Sequence, residues 1–327
     1  MLNIGIVGCG KIAQVRHIPE YAANENARLV GFFNPSTHRA EEMAAKYGGK
    51  VYVTAEDLFA DPEIDAVSVC AANYAHAELT IQALRAGKHV LCEKPMAITL
   101  EDCERMLCEA EKAGKRLLIG QNQRFAKAHV KAKELLQAGV IGKVITFRTV
   151  FGHGGPETWS ISPGKGTWFF DKSKAAMGAM ADLGIHKTDL LRFLLDQDVV
   201  RTTARLATLD KRGPDDELIG VDDNAICVYE MSGGAFGTMT ASWTYYGAED
   251  NSTVLYGTKT CYDVEQIQTN DNQTASGVID EFVAAVEEGR PSILDAEDVL
   301  KSMEAVFASM LSAEQGRTVE VDELFGQ

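Results

Sequence analysis

Three polar side chains in this 327-residue sequence have the types and spacing that proton transfer requires. Asp182 and His186 stand four residues apart in a segment of helical composition, so they are expected to share one helix face. Lys94 lies within Glu93-Lys94-Pro95, directly after an apolar run. A neutral histidine accepts a hydroxyl proton near physiological pH, and an ammonium group stabilises a developing alkoxide. The set suits the oxidation of an alcohol, but an Asp–His pair at this spacing is also ordinary on a helix surface.

A glycine-rich motif near the start of the chain predicts a dinucleotide site. Residues 8–13, Gly-Cys-Gly-Lys-Ile-Ala, match G-x-G-x-x-A between an apolar run and a stretch of helical composition. Gly8 allows the tight turn, Gly10 lets a pyrophosphate approach the backbone, and Ala13 keeps the helix close to the strand. The helix N-terminus then faces the phosphates, which adds Lys11 and Ile12 to the predicted cofactor site.

The segment after the second apolar run departs from the usual dinucleotide pattern. The acidic residue expected there to hold a ribose diol is absent. Asn34 can still bind a ribose hydroxyl, and Ser36, Thr37 and Arg39 suit a 2′-phosphate. A helix cap at Ser36 or Thr37 with a solvated Arg39 explains the same residues equally well. NAD and NADP both stay open, with the balance slightly towards NADP.

The first 120 residues alternate apolar runs with helix-like segments. Thr54 and Thr99 each precede acidic residues as helix starts do. Continuous apolar strands indicate a parallel sheet covered on both faces, so the sequence predicts an α/β, doubly wound fold. The runs are 2–7, 28–33, 65–70, 88–92 and 115–120.

The second half of the chain has a different pattern. Strand-like runs follow one another without helices, which predicts antiparallel pairing, and Gly233-Gly234 is a hairpin signal. We therefore predict a dinucleotide-binding domain over 1–122 and a substrate-binding and oligomerisation domain over 123–327. The strand-like runs are 143–151, 224–231, 235–243 and 252–265, and helical stretches lie near 274–289 and 295–313.

Together, three segments resemble the Gfo/Idh/MocA oxidoreductases, the family of glucose-fructose oxidoreductase and inositol dehydrogenase. They are the glycine motif, residues 71–97 with Glu93-Lys94-Pro95, and residues 178–191 with Asp182 and His186. The resemblance implies an N-terminal Rossmann domain and a C-terminal α+β domain with an open, largely antiparallel sheet. Many relatives pair these sheets face to face, which implies a homodimer or homotetramer.

The resemblance also favours a catalytic role for the three polar residues over an ordinary helix-surface pair. His186 is then the general base, Lys94 supports the alkoxide and touches the cofactor, and Asp182 orients the histidine or substrate hydroxyls. Glu93 is placed on the cofactor side, mainly as the ion-pair partner of the lysine. Pro95 makes a cis peptide bond possible. Asp189 is interpreted as a structural hydrogen-bonding group, and no metal site is predicted.

Further candidates follow two strands of the predicted Rossmann sheet. After the run 65–70, one side chain is expected to contact the cofactor, and a histidine there is either a cofactor contact or a packing residue. After the run 115–120, polar residues reach towards substrate or form a solvated hinge. The loop 152–170 is expected to set specificity through its tryptophans. The cofactor candidates are Asn73 and His76, and the substrate candidates are Gln121, Asn122, Arg124 and Trp168.

Composition narrows the class of partner. The formal net charge of -15 is spread along the chain, which argues against nucleic acid and anionic membrane partners. The N-terminus shows no signal-peptide pattern and no apolar run approaches a membrane span, so a cytoplasmic protein is expected. Seven cysteines without a CxxC pair are expected to be reduced.

The leading functional hypothesis is a nicotinamide-dependent dehydrogenase or reductase acting on a sugar, a sugar derivative or an inositol. One alternative keeps the cofactor but uses transient oxidation to cleave a glycoside. A second alternative is a dinucleotide-binding sensor without turnover.

Overall fold

The computed structural model describes residues 1–267 and 273–325. The chain forms two compact units, Met1–Asn122 with Thr274–Val299, and Gln123–Gln273 with Leu300–Gln327. The first division lies where the sequence places its domain boundary, whereas Thr274–Val299 groups with the first unit. The functional assignment of 1–122 and 123–327 as domains stays a prediction.

The first unit contains a fully parallel six-stranded sheet, which confirms the predicted doubly wound arrangement. The strand order is β3-β2-β1-β4-β5-β6, so β1 lies inside the sheet, and its Ile4, Ile6 and Val7 are fully buried. Apolar side chains on both faces of such strands explain the continuous apolar runs. The strands are β1 Leu2–Val7, β2 Ala27–Phe33, β3 Lys50–Tyr52, β4 Ala66–Val69, β5 His89–Cys92 and β6 Leu117–Ile119.

Side-chain caps begin two helices of this unit, as the sequence predicts. Thr54 Oγ1 accepts the Asp57 amide at 3.0 Å, and Thr99 Oγ1 accepts the Asp102 amide at 3.1 Å. Each cap satisfies an amide that has no acceptor within its own helix. The helices are α1 Ile18–Ala23, α2 Thr37–Tyr47, α3 Ala55–Ala60, α4 His76–Arg85 and α5 Leu100–Ala113.

The second unit contains a mixed seven-stranded sheet of order β12-β11-β7-β10-β9-β8-β13. Antiparallel pairing dominates, as predicted, but β7 and β10 are parallel. The long connection between them permits this direction, which a tight hairpin would not. The turn at Gly233-Gly234 does connect β9 to β10. The predicted run 252–265 divides into two strands, and the sequence did not predict β8 or β13. The strands are β7 Val144–Gly152, β8 Val199–Ala207, β9 Asn224–Met231, β10 Phe236–Ser242, β11 Thr253–Gly257, β12 Cys261–Asp263 and β13 Val319–Glu320.

Helices cover one face of this second sheet. The hydroxyl of Tyr229, on β9, lies 3.0 Å from Thr188 Oγ1 and 3.4 Å from Ser309 Oγ. Both partners are helical, so α8 and α10 pack on the inward side of β9. No helix in the described ranges is long and apolar enough to span a membrane. The remaining helices are α6 Lys127–Gln137, α7 Lys172–Ala175, α8 Ile185–Leu195, α9 Val278–Glu288 and α10 Ala296–Gln315.

Two segments that the sequence predicts as ordinary helix are π-helical. Ala13–His17 directly precedes α1, and Met180–Gly184 directly precedes α8. π-Helical turns are rare and occur frequently at functional sites. One of them continues the glycine motif, and the other contains Asp182.

Candidate active site

Gly8 and Gly10 differ in the space that a side chain would have. Gly8 has φ +97°, and a Cβ there would lie 2.7 Å from the carbonyl oxygen of Cys70, so the fold itself requires glycine. A Cβ on Gly10 would meet only that oxygen, at 3.9 Å. The folded chain therefore leaves space at Gly10 that its own packing does not use. This space fits the close approach of a pyrophosphate.

The helix that follows the motif completes a phosphate site. Lys11 and Ile12 are already helical, and Ala13 is fully buried against the sheet. The first amides of a helix lack intrahelical acceptors and carry the positive end of the helix dipole. The residues present thus fit a bound dinucleotide.

The side chain of Asn34 makes two structural hydrogen bonds that the sequence does not reveal. Its Oδ1 accepts the Cys9 amide at 2.9 Å, and its Nδ2 donates to the Ser36 carbonyl at 2.9 Å. The carboxamide therefore ties the glycine turn to the end of β2, while its predicted ribose contact stays a prediction. Ser36 precedes α2 but its side chain makes no capping hydrogen bond. Its hydroxyl is exposed, and Arg39 is half-buried on the same turn.

Lys94 follows β5, at the carboxyl edge of the parallel sheet where such sheets bind ligands. Its side chain is half-buried, and the Lys94–Pro95 peptide bond is cis. Glu93 Oε2 accepts the backbone amide of Lys94 at 3.1 Å, while Glu93 Oε1 lies 2.8 Å from Nε2 of His17. Burial raises the pKa of Glu93, but the hydrogen bond and charge of His17 outweigh it and hold the pKa at about 2. The carboxyl group is therefore an ionised carboxylate.

Both ring nitrogens of His76 lie within hydrogen-bond distance of backbone carbonyl oxygens of the first unit. Its Nδ1 lies 2.8 Å from the Pro95 carbonyl oxygen and its Nε2 lies 3.0 Å from that of Ala71. Burial lowers the pKa of this imidazole. The packing interpretation of His76 therefore has direct support, and its contact with cofactor stays a prediction. Asn73 is 7% exposed in a 3-10 turn just before α4.

Asp182 and His186 are both nearly buried, with exposed fractions of 7% and 8%. Asp182 lies in the π-helical turn and His186 in the first turn of α8. The indole Nε1 of Trp243 donates to Asp182 Oδ2 at 3.1 Å, and the ring of Phe151 lies 6.0 Å from that of His186. A buried carboxylate with a fixed donor is suited to orienting a neighbouring group. The apolar side of this helix is buried as predicted, at Leu183, Leu190, Leu191 and Leu194.

An aromatic cluster of the second unit contacts Trp243, the partner of Asp182. Trp168 stacks on Phe169 with ring centroids 3.9 Å apart, and Phe169 contacts the ring of Trp159 at 5.2 Å. Both Phe169 and Phe170 contact Trp243. The loop that carries the tryptophans is therefore anchored to the residue that holds Asp182. The substrate contact of Trp168 stays a prediction.

Gln121 and Asn122 are the first two substrate candidates after β6. Gln121 is fully buried, and within the described residues its amide has no hydrogen-bond partner. Such an amide needs a water or ligand partner, because leaving it unsatisfied is costly. Asn122 begins the 3-10 turn Asn122–Phe125.

Arg124 belongs to a buried ion pair of the second unit. Its Nε and Nη2 donate to Asp189 at 2.7 and 2.5 Å, and Ser302 Oγ donates to the same carboxylate at 2.8 Å. The structural interpretation of Asp189 is thus supported. Arg124 has a structural partner, and its predicted contact with substrate stays a prediction.

Sequence reasoning missed two residues that contact the candidate groups. His17 lies in the helix after the glycine motif and binds Glu93. Trp243 lies just after β10 and binds Asp182. Their only sequence signal was a histidine four residues after Ala13 and a tryptophan at a strand end. Across 1–267 and 273–325, no group of three or more His, Cys, Asp or Glu side chains could hold a metal ion.

Known proteins match this chain over most of its length. Residues 2–121 match an oxidoreductase family model described as a GFO/IDH/MocA NAD-binding Rossmann fold, and residues 129–263 match the GFO/IDH/MocA C-terminal domain. Myo-inositol 2-dehydrogenase of Thermotoga maritima is 27% identical over 99% of this chain and 100% of its own. 1,5-Anhydro-D-fructose reductase of Ensifer adhaerens is 35% identical over 66% of this chain and 64% of its own. The solved structure of GenD2 from gentamicin A biosynthesis, in complex with NAD, is 26% identical, with a TM-score of 0.86 over 98% of this chain and 96% of its own.

Proposed function

Because the chain belongs to the GFO/IDH/MocA family of oxidoreductases, we propose that it transfers a hydride between a nicotinamide cofactor and a hydroxyl-bearing carbon. The proposed substrate is a sugar, a sugar derivative or an inositol, the class named for its relatives. The observation that carries the proposal is the unused space at Gly10, on a helix N-terminus that fits a dinucleotide pyrophosphate.

We assign the chemistry to Lys94 of the first unit and to Asp182 and His186 of the second. When bound, the nicotinamide ring supplies the hydride acceptor. His186 accepts the hydroxyl proton as the carbonyl forms, and returns it in the reverse direction. The Lys94 ammonium stabilises the developing alkoxide, and Asp182 orients the histidine or a substrate hydroxyl.

Polar residues at the strand ends are proposed to select a polyhydroxylated molecule. The buried amide of Gln121 offers one donor side and one acceptor side, which suits a hydroxyl group. Asn122, Arg124 and Trp168 are proposed to contribute to the same selection, and Asn73 to contact the cofactor.

We also propose a slight preference for NADP over NAD. No acidic residue lies between the end of β2 and Arg39, and the exposed Ser36 lies close in sequence to the half-buried Arg39. A hydroxyl and a guanidinium favour the phosphate of NADP, whereas NAD is usually held by a carboxylate. For the assembled protein, we propose a homodimer or homotetramer.

A two-step titration tests this function. NADH and NADPH are titrated separately, and their oxidised forms are then incubated with a panel of inositols, aldoses and anhydro sugars. We expect tighter binding of NADPH and stoichiometric cofactor reduction with at least one polyol. Glycoside cleavage without net reduction, or binding without turnover on the whole panel, would contradict the dehydrogenase assignment. Equal or tighter binding of NADH would contradict only the cofactor preference.

A further inference from the structure

We propose that His17 and Glu93 are positioning residues that link the helix after the glycine turn to Lys94. Through them, the position of the cofactor-binding helix sets the position of the lysine. This inference rests on the proposed function, in which Lys94 acts on substrate beside the bound cofactor.

A buried chain of hydrogen bonds joins Tyr21, Ser68, His17 and Glu93. His17, fully buried, has Nε2 2.8 Å from Glu93 Oε1 and Nδ1 3.2 Å from Ser68 Oγ. The Tyr21 hydroxyl lies 2.8 Å from the same Ser68 oxygen. An ionised carboxylate only accepts, so Nε2 must carry a proton. His17 therefore donates to Glu93, and each of the four side chains, Tyr21, Ser68, His17 and Glu93, has a hydrogen-bond partner in the chain.

A side-chain-to-backbone hydrogen bond connects Glu93 to the lysine. The other carboxylate oxygen, Oε2, accepts the backbone amide of Lys94. On its remaining side the carboxylate is confined by Gly120, where a Cβ would lie only 3.1 Å from Oε1. The carboxylate is thus held from both sides, and its orientation fixes the backbone at residue 94.

His17 lies shortly after the glycine motif in the chain. His17 ends the π-helical turn that begins at Ala13, the last residue of the glycine motif. A shift of this turn on cofactor binding therefore moves the imidazole that holds Glu93. Burying a carboxylate costs free energy unless the group is paired. Glu93 is buried one residue before Lys94, and we interpret this burial as serving the position of the lysine.

Two substitutions of His17 separate its contacts. In His17→Gln the side-chain amide nitrogen occupies a place similar to Nε2 and keeps the donor to Glu93. In His17→Asn the shorter amide reaches Ser68 but leaves Glu93 without this donor. We expect His17→Asn to lower kcat by about 10- to 100-fold, because small displacements of a reacting group have effects of this size. His17→Gln should retain most of the wild-type kcat, and both variants should bind NADH and NADPH as wild type does.

A chemical readout tests positioning without any turnover. The acetylation rate of Lys94 by an N-hydroxysuccinimide ester is measured by peptide mass spectrometry, with and without NADH or NADPH, using Lys50 and Lys112 as internal references. We expect His17→Asn to change the Lys94 rate and to abolish its response to cofactor, and His17→Gln to keep both. Identical Lys94 rates in all three proteins would overturn the inference, even if a polyol substrate were found.

Thermal unfolding would reveal whether His17→Asn fails to fold. In that case, a second variant tests the same inference. Gly120→Ala pushes on the Glu93 carboxylate without removing a charge, and it should reproduce the lower kcat and the altered Lys94 rate. His89→Gln, at the opposite end of β5, is the matched histidine control and should leave both unchanged. Gly120→Ala with wild-type kcat and wild-type Lys94 reactivity would overturn the inference. If no panel substrate reacts but the Lys94 rates respond as expected, the proposed function fails and the positioning stands.

Discussion

At the scale of residues, each candidate catalytic group has a partner in the structure, and the partners of Asp182 and His186 lie outside the sequence motifs. Asp182 is held by the indole of Trp243, and the backbone of Lys94 is held by Glu93. His186 lies against the ring of Phe151. Fixed partners reduce the reorganisation that a reacting group needs in the transition state. The assignment of roles is therefore best tested by removing single functional groups.

We expect His186→Ala and Lys94→Ala each to lower kcat by about 10²- to 10⁴-fold, because each removes one proton-transfer or charge-stabilising group. Cofactor affinity should be retained in His186→Ala, as measured by NADH and NADPH titration. If the two residues act on one substrate as a unit, the double variant should lose little more than the worse single variant. A double loss equal to the product of the single losses would show independent action, and an unchanged kcat in His186→Ala would refute the base assignment.

At the scale of elements, the sequence predicts the parallel sheet and the caps well because these depend on local pattern. Apolar runs and Thr-x-x-Asp starts are visible within a few residues, as at Thr54 and Thr99. Other features depend on contacts between distant segments. They are the π-helical turns, the hydrogen bond of Asn34 to the glycine turn, and the pairing of Arg124 with Asp189. A sequence shows residue types at such positions but not which partner uses them.

The glycine turn gives an element-scale prediction. Gly8→Ala should lower the melting temperature by several degrees, because its φ is positive and its Cβ would overlap backbone atoms, each at a cost of about 1–3 kcal/mol. Gly10→Ala should leave the melting temperature nearly unchanged but weaken NADH and NADPH binding by about tenfold or more, which corresponds to about 1.4 kcal/mol.

Thermal unfolding and cofactor titration on the same two variants check the pair. Wild-type cofactor affinity in Gly10→Ala would show that no pyrophosphate lies over this residue. A loss of stability in Gly10→Ala equal to that of Gly8→Ala would show that the fold itself requires both glycines.

At the scale of the whole molecule, the two sheets differ in how their faces are covered. The parallel sheet carries buried side chains on its central strands, whereas β9 and β10 alternate buried and exposed residues. The exposed set includes Ile226, Val228 and Phe236, with Arg201 and Glu230 paired beside them. An exposed apolar patch flanked by both signs of charge is suited to a second copy of itself across a two-fold axis. We therefore predict that the proposed oligomer forms through this face.

A charge placed in the centre of this face should dissociate the oligomer. We expect wild type to be a dimer or tetramer by light scattering after size exclusion, and Val228→Glu to shift it towards monomer, because the interface would bury an unpaired carboxylate. Val53→Glu, at an exposed valine of the first unit, is the matched control and should keep the wild-type mass. A monomeric wild type, or equal masses for wild type and Val228→Glu, would remove this face from the assembly. Because Val228 points away from the helices of its unit, retained secondary structure by circular dichroism would assign the shift to the interface and not to unfolding.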